Sequence, residues 1–454
     1  MSPTIRRDIE EDQDVRAALG WLGRASGNER AFHARLESAQ LAYRDFTAST
    51  EHRGQDPAFG DLGADVVAAF FAQAKSLVDE RRTYDFALAS TTVPWIKQLG
   101  RQVVLLDKVV GARGRAARML SAKTVAPDSA MFELVMAANY ASEGLEVAFV
   151  EEAKGHARTP DLRLMIPELP HPFFVECKRL DRGQYEQMER ARHRLLFQDV
   201  ARWIDAHALS VHIDVTYTRE LAEVPETYLS EHLRQALSSL IVTPGGYPWK
   251  DEFGHGEIRP ANLAAVREDT RESSLYFGTK LARLLSGRVV RETSYHLAAG
   301  ADPDPRDPRY IDRIQYGSVV TWQCVALGAI ERKGRYVKSK LVEADRQLQG
   351  LGPAMVHMAM DAELACESSE LRRTRNIEAI RVFEPRSKLV AIYIHYLVPR
   401  ISEAHSWLLD ETVDTFGPTT EQMEPTRIFP DAPLVDNDLP AWQQPLAPSK
   451  VGSD

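Results

Sequence analysis

The chain has 454 residues, a net charge of −9, 44% hydrophobic and 27% charged residues, a composition that excludes disordered and fibrous classes and allows two to three globular domains. No run of 18 apolar residues occurs, and the start, MSPTIRRDIEEDQDVR, has no apolar stretch, so neither a membrane span nor a secretion signal is expected and the cytoplasm is the expected compartment. Three scattered cysteines (Cys177, Cys324, Cys366) form no disulfide framework or zinc motif, and there is no Walker loop, nucleophile elbow or His-Glu-x-x-His.

Residues 1–125 read as a helical domain, with VVAAFFAQAKSLV in a helix that Asp61 can cap and that runs through Val78. Nothing catalytic is apparent there, and recognition, regulation or pairing with a second copy or a partner protein are the roles open to it. Arg101, Lys108, Arg113, Arg115, Arg118 and Lys123 then stand against a single acid, Asp107, and such a group can neutralise phosphates. The next segment, SAMFELVMAANYASEG, spaces its apolar residues as a helix over 129–142, started by Asp128 or Ser129 and ended by Gly144. Glu133 shares an apolar face with Met136, Ala137 and Tyr140. A carboxylate there belongs to a charged site, or it is a first-turn glutamate favoured by the helix dipole. Glu143 is a weaker substitute, and Leu145–Val150 reads as a strand.

The run TPDLRLMIPELPHPFFVECKRL (159–180) carries the most chemistry. Leu162–Ile166 and Phe173–Glu176 are strand-length apolar segments separated by prolines, which suggests an antiparallel hairpin. Pairing Ile166 with Phe173 sets Arg163 opposite Glu176 and Asp161 opposite Lys178. Alternation puts Glu176 and Lys178 on one face with Phe174, and Phe173, Val175 and Cys177 on the core face. Asp161 and Glu176 can offer two oxygens, and the Cys177 carbonyl a third, to Mg2+ (Mn2+ can substitute), while Lys178 sits beside the water or phosphate that the ion engages.

With Pro160-Asp161 followed by Glu176-Cys177-Lys178, the segment resembles the PD-(D/E)xK nuclease superfamily, the restriction-endonuclease-like fold. The resemblance spans about residues 128–216 and implies an α/β class: a mixed sheet flanked by helices, built in the order helix, three strands, helix, strand. It implies a metal-dependent nuclease, with DNA a better candidate than RNA, and Glu133 as the family's acid on the preceding helix. Tyr185–His207 and Ser210–Tyr217 are expected as the second helix and last strand of a core over 126–220. No glutamine-tyrosine signature of the RecB-type branch is found. A nuclease-fold protein that binds nucleic acid or a partner without cleaving it is the alternative.

After Lys178 come Arg179, Arg182, Arg190, Arg192 and Arg194, and a third basic group joins Arg332, Lys333, Arg335, Lys338 and Lys340. Arg113, Arg115, Arg118, Arg179, Arg182 and Lys340 are the expected nucleic-acid contacts. Residues 221–315 read as an insertion. In 316–400, strands at Val319–Leu327 and Ala354–Met360, a helix at Tyr336–Leu348 and a hairpin of Glu378–Phe383 with Leu389–Leu397 are expected to extend the nuclease sheet; Lys340, Ala344 and Gln347 would lie on nearby faces of that helix. Residues 401–454 hold ten acids, two bases and seven prolines, and read as an extended or disordered tail, wrapped on the body through Trp407, Phe416 and Trp442.

Overall fold

The computed structural model describes residues 12–48, 65–79, 84, 86–121, 123–124, 126–151, 159–167, 170–180, 184–240, 246–269, 279–287, 295–303, 311–362, 367–400, 408–417, 426–430 and 439–443. Among these, seven helices come first: α1 (Gln13–Ala25), α2 (Glu29–Ala48), α3 (Val66–Asp79), α4 (Phe86–Arg101), α5 (Val103–Leu106), α6 (Ala112–Met119) and α7 (Pro127–Ser142). Strands β1 (Glu146–Phe149), β2 (Leu162–Met165) and β3 (Phe173–Arg179) follow. A middle block holds α8 (Gln184–His207), β4 (Val211–Tyr217), α9 (Tyr228–Leu240), β5 (Tyr247–Lys250), β6 (Gly254–Pro260), α10 (Leu263–Asp269), α11 (Thr279–Ser286), β7 (Tyr295–Pro303) and β8 (Ile311–Cys324). Then come α12 (Leu327–Leu348), β9 (Ala354–Asp361), α13 (Glu367–Arg381), β10 (Leu389–Arg400) and β11 (Leu408–Phe416).

The class is α/β, with two mixed sheets flanked by helices. The first sheet has the order β1-β2-β3-β9-β10-β11 and the second β5-β6-β4-β8-β7. In the first, β1, β2 and β3 form an antiparallel meander, β9 runs parallel to both β3 and β10, and β11 closes the sheet antiparallel to β10. Strand β9, AMVHMAMD, is buried through its first seven residues, as expected for a parallel strand covered by helices on both faces. On one face, Leu162, Leu164, Val175 and Cys177 share a core with Phe132 and Val135 of α7 and with Phe71 and Trp95. On the other, Val356, Met358 and Ile394 pack under Val337, Leu341 and Ala344 of α12 and against Trp442. Helix α7 lies between the sheet and the N-terminal helices, which is why it is apolar almost all round.

Several expectations are corrected. Strand β4 does not join β3; it pairs with β6 and β8 in the second sheet. Its place beside β3 is taken by β9, about 180 residues along the chain, with α12 as the crossover helix. Residues 319–324 likewise lie in the second sheet, and α12 starts earlier than expected, at Leu327. Residues 378–381, expected as a strand, end helix α13, whose buried side chains are Ser369, Asn376 and Ile380. The acidic tail contributes an ordered strand, β11, and the buried residues Ile428, Phe429 and Trp442; Trp407 lies outside the described residues. The helices before residue 125 share the sheet's core rather than closing one of their own. Among the described residues no helix is long and apolar enough to cross a membrane.

The second sheet is covered by α8 and α9 on one face and by α10 and α11 on the other. Within it His193 of α8 lies flat between the rings of Trp322 and His296, at 4.3 and 5.0 Å, and its Nε2 meets the Tyr217 hydroxyl at 3.1 Å. Burial holds His193 well below the usual imidazole range, aided by His296; burial and the nearby Arg194 and Arg190 bring His296 to about 3. Both rings are neutral in the folded state, whereas the unfolded chain takes up protons near pH 6.5. The stability they contribute is therefore complete above about pH 6.5 and is lost as the pH falls toward 3. Between pH 7 and 5, His296→Phe is expected to lose about 2 kcal/mol less stability than the native chain. Urea unfolding at both pH values checks this, and equal losses would contradict it.

Candidate active site

The hairpin pairs Leu162 with Val175, Arg163 with Phe174 and Leu164 with Phe173. This differs by two residues from the expected register. Continued one step into the turn, the ladder would need an amide from Pro172, which has none, so it stops at Phe173. A slip of two keeps every side chain on its face. Glu176 and Lys178 thus remain with Phe174 on the α12 face, and Val175 and Cys177 face α7. The slip also sets Asp161 opposite Glu176 rather than Lys178. The Asp161 amide donates to the Val175 carbonyl at 3.1 Å, and its Oδ2 accepts the Cys177 amide at 2.7 Å. The Cys177 N–H thus orients the Asp161 carboxylate.

Asp161, Glu176 and Lys178 converge beneath α12. Lys178 Nζ donates to Glu176 Oε1 and to Gln347 Oε1, each at 2.6 Å, with Glu343 Oε1 at 3.6 Å. Gln347 Nε2 donates to the Thr159 carbonyl at 3.3 Å, tying α12 to the segment that leads into Asp161. Burial raises the Asp161 carboxyl well above its usual range, and the Glu133 and Glu176 charges add to this. Burial brings Glu176 to about 7 against the opposing pull of Lys178. For Lys178, burial works against the ammonium, but Glu176 and the other carboxylates outweigh it and the pKa is raised. It is an ammonium at neutral pH.

Two buried polar atoms here, Glu176 Oε2 and Thr159 Oγ1, have no hydrogen-bond partner among the described residues. A pair of crowded carboxylates with an unsatisfied oxygen is the chemistry of a seat for a hard cation that keeps part of its water shell. Among the described residues no three acid, histidine or cysteine side chains gather as a metal cage, so the fit is to a two-carboxylate seat only. Glu133, the expected third acid, is 5% exposed and gives both oxygens to Arg115, each at 2.5 Å. Arg115 is held there by α6, whose N-terminal cap is Gly111 with φ of 84°. A Cβ on Gly111 would stand 3.1 Å from Cβ of Phe149, so glycine lets α6 approach β1.

The other expected contacts are dispersed. Arg113 pairs with Asp107 at 3.0 Å on the surface, and Arg118 is exposed on α6. Arg179 is turned inward, 2.6 Å from Asp361, 3.6 Å from Asp128 and over the Trp95 ring, and is not available to a phosphate. Arg182 lies outside the described residues, and Lys340 pairs with Glu343 at 3.0 Å. Sequence reasoning missed Glu343. The signal was its spacing of four from Gln347, which puts both on one face of α12. No family model matches the chain, and no characterised protein and no solved structure matches it either.

Proposed function

We propose that the protein is a metal-dependent phosphodiesterase of the PD-(D/E)xK type acting on nucleic acid, with DNA the first substrate to test. The observation that carries the reading is the convergence of Asp161, Glu176 and Lys178 at one end of a hairpin, with Glu176 Oε2 unsatisfied. The order of the first sheet supports the restriction-endonuclease-like core: α7, β1, β2, β3, α12 and β9 follow as helix, three strands, helix, strand once the block from α8 to β8 is taken as an insertion.

Asp161 and Glu176 would hold Mg2+ or Mn2+, which when bound supplies charge stabilisation at the phosphoryl group and a more acidic water. Asp161 is aimed by the Cys177 amide and Glu176 by its strand. Lys178, fixed by Gln347, stabilises negative charge developing on the phosphoryl oxygens. As a permanent cation it acts electrostatically and not as a base. Asp161→Asn keeps the shape and the amide contact but removes the charge. It is expected to lower cleavage of supercoiled plasmid in Mg2+ or Mn2+ by at least about 100-fold, with the native chain inactive in EDTA. Cleavage that survives the substitution would overturn the site.

One observation favours a second reading, a nuclease-fold protein that binds without cleaving: the Lys178–Glu176 ion pair, at 2.6 Å, already occupies one of the carboxylate oxygens. Plasmid that is retained but uncut in either metal would select it.

A further inference from the structure

We propose that the exposed face of α12 is a phosphate track that delivers the backbone of a nucleic-acid strand to Lys178. This rests on the nuclease reading and names the surface that positions its substrate. An open cleft of about 780 Å³ runs along α12 and is lined by Arg335, Lys338, Val342, Glu343, Arg346 and Gln347, together with Ser339. Arg335, Lys338 and Arg346 are exposed and recur along one face of a 12-residue stretch, about 16 Å of helix from first to last. Two residues of the same lining, Glu343 and Gln347, touch Lys178, so the cleft ends at the candidate site.

The charge of this face is available, in contrast with other cations of the basic groups. Arg113, Arg115, Arg179, Arg192, Arg332 and Lys333 each meet a carboxylate within 3.3 Å. Among the described residues Lys338 and Arg346 form no ion pair, and Arg335 has only Glu331, at 3.8 Å on the surface. Glu343, the acid in the lining, is engaged with Lys178 and Lys340. A strip of three available cations on one helix face beside a two-carboxylate site complements a chain of phosphates, and phosphate contacts set register and orientation rather than sequence.

The test measures binding by the full chain, in EDTA, of fluorescein-labelled DNA, single-stranded and duplex in separate arms, across a salt series. The variant Arg335→Gln/Lys338→Gln/Arg346→Gln changes only exposed side chains. Its Kd is expected to rise at least about 10-fold near 0.1 M salt, and the slope of log Kd against log salt to fall by about two to three. A control, Arg202→Gln/Arg313→Gln, removes two exposed cations of the middle block and should bind like the native chain. The track is overturned if the triple variant binds with unchanged Kd and slope, if the control weakens binding equally, or if the native chain binds neither DNA. A native chain that binds through α12 but cuts nothing in Mg2+ or Mn2+ keeps the track and removes the nuclease reading. One that cuts, with the triple variant cutting and binding undiminished, does the reverse.

Discussion

Exchange of Lys178 for methionine is expected to slow phosphodiester cleavage by about 100- to 1,000-fold, the usual loss when one preorganised electrostatic contact is removed from a reacting centre. The ammonium lies 2.6 Å from both Glu176 Oε1 and Gln347 Oε1 and is 14% exposed. Methionine fills a similar volume without the charge. Lys178→Arg keeps the charge but substitutes a planar fork for a point donor, and should recover part of the rate. Gln347→Leu removes the fixed acceptor and the link to the Thr159 carbonyl while leaving the ammonium, and should cost less than Lys178→Met. Plasmid nicking under single-turnover conditions reads all three. A rate for Lys178→Met within threefold of native would remove Lys178 from the chemistry.

The largest stability effect is expected at Lys333. Its Nζ lies 2.7 Å from Glu189 Oε2, with the side chains 14% and 3% exposed. Burial works against the Lys333 ammonium, but the Glu189 and Glu186 carboxylates prevail and its pKa is raised; burial raises Glu189, which Lys333 pulls back. The pair joins α8 of the middle block to α12 of the first sheet's cover. Lys333→Met strands a buried carboxylate and should destabilise the protein by about 3–5 kcal/mol. Glu189→Leu with Lys333→Met removes both charges and should regain most of that loss, since a buried ion pair replaced by apolar groups of similar size is close to neutral. A double-mutant cycle by urea unfolding measures the coupling. A loss below about 1 kcal/mol for Lys333→Met would show the pair to be solvent-screened.

The hairpin was legible because its determinants are local. Asp161 and Lys178 are 17 positions apart in the sequence, strand alternation has period two, and the prolines limit where the ladder can run. The register itself was misjudged because the apolar pattern fits either choice: Pro172 ends the ladder at Phe173 in both, and the structure sets Leu164 rather than Ile166 opposite Phe173. Parity survived because the slip was even. The apolar character of α7 signalled burial of Glu133, but nothing near it signalled Arg115, which reaches it across 18 positions.

By itself the sequence determined the faces of β3 and set Asp161 at the strand end that meets Glu176 and Lys178, both of which follow from side-chain order along one short stretch, while the α/β class was what the resemblance implied. Only the tertiary structure decided which strand lies beside β3. Both β4 and β9 are apolar and of strand length, and the choice between them depends on what covers each face. It also decided that α12, which starts about 150 residues after Lys178, brings Glu343 and Gln347 to that ammonium and leaves Lys338 and Arg346 facing outward. Those contacts join residues far apart in the chain, and their energies come from packing that no local pattern encodes.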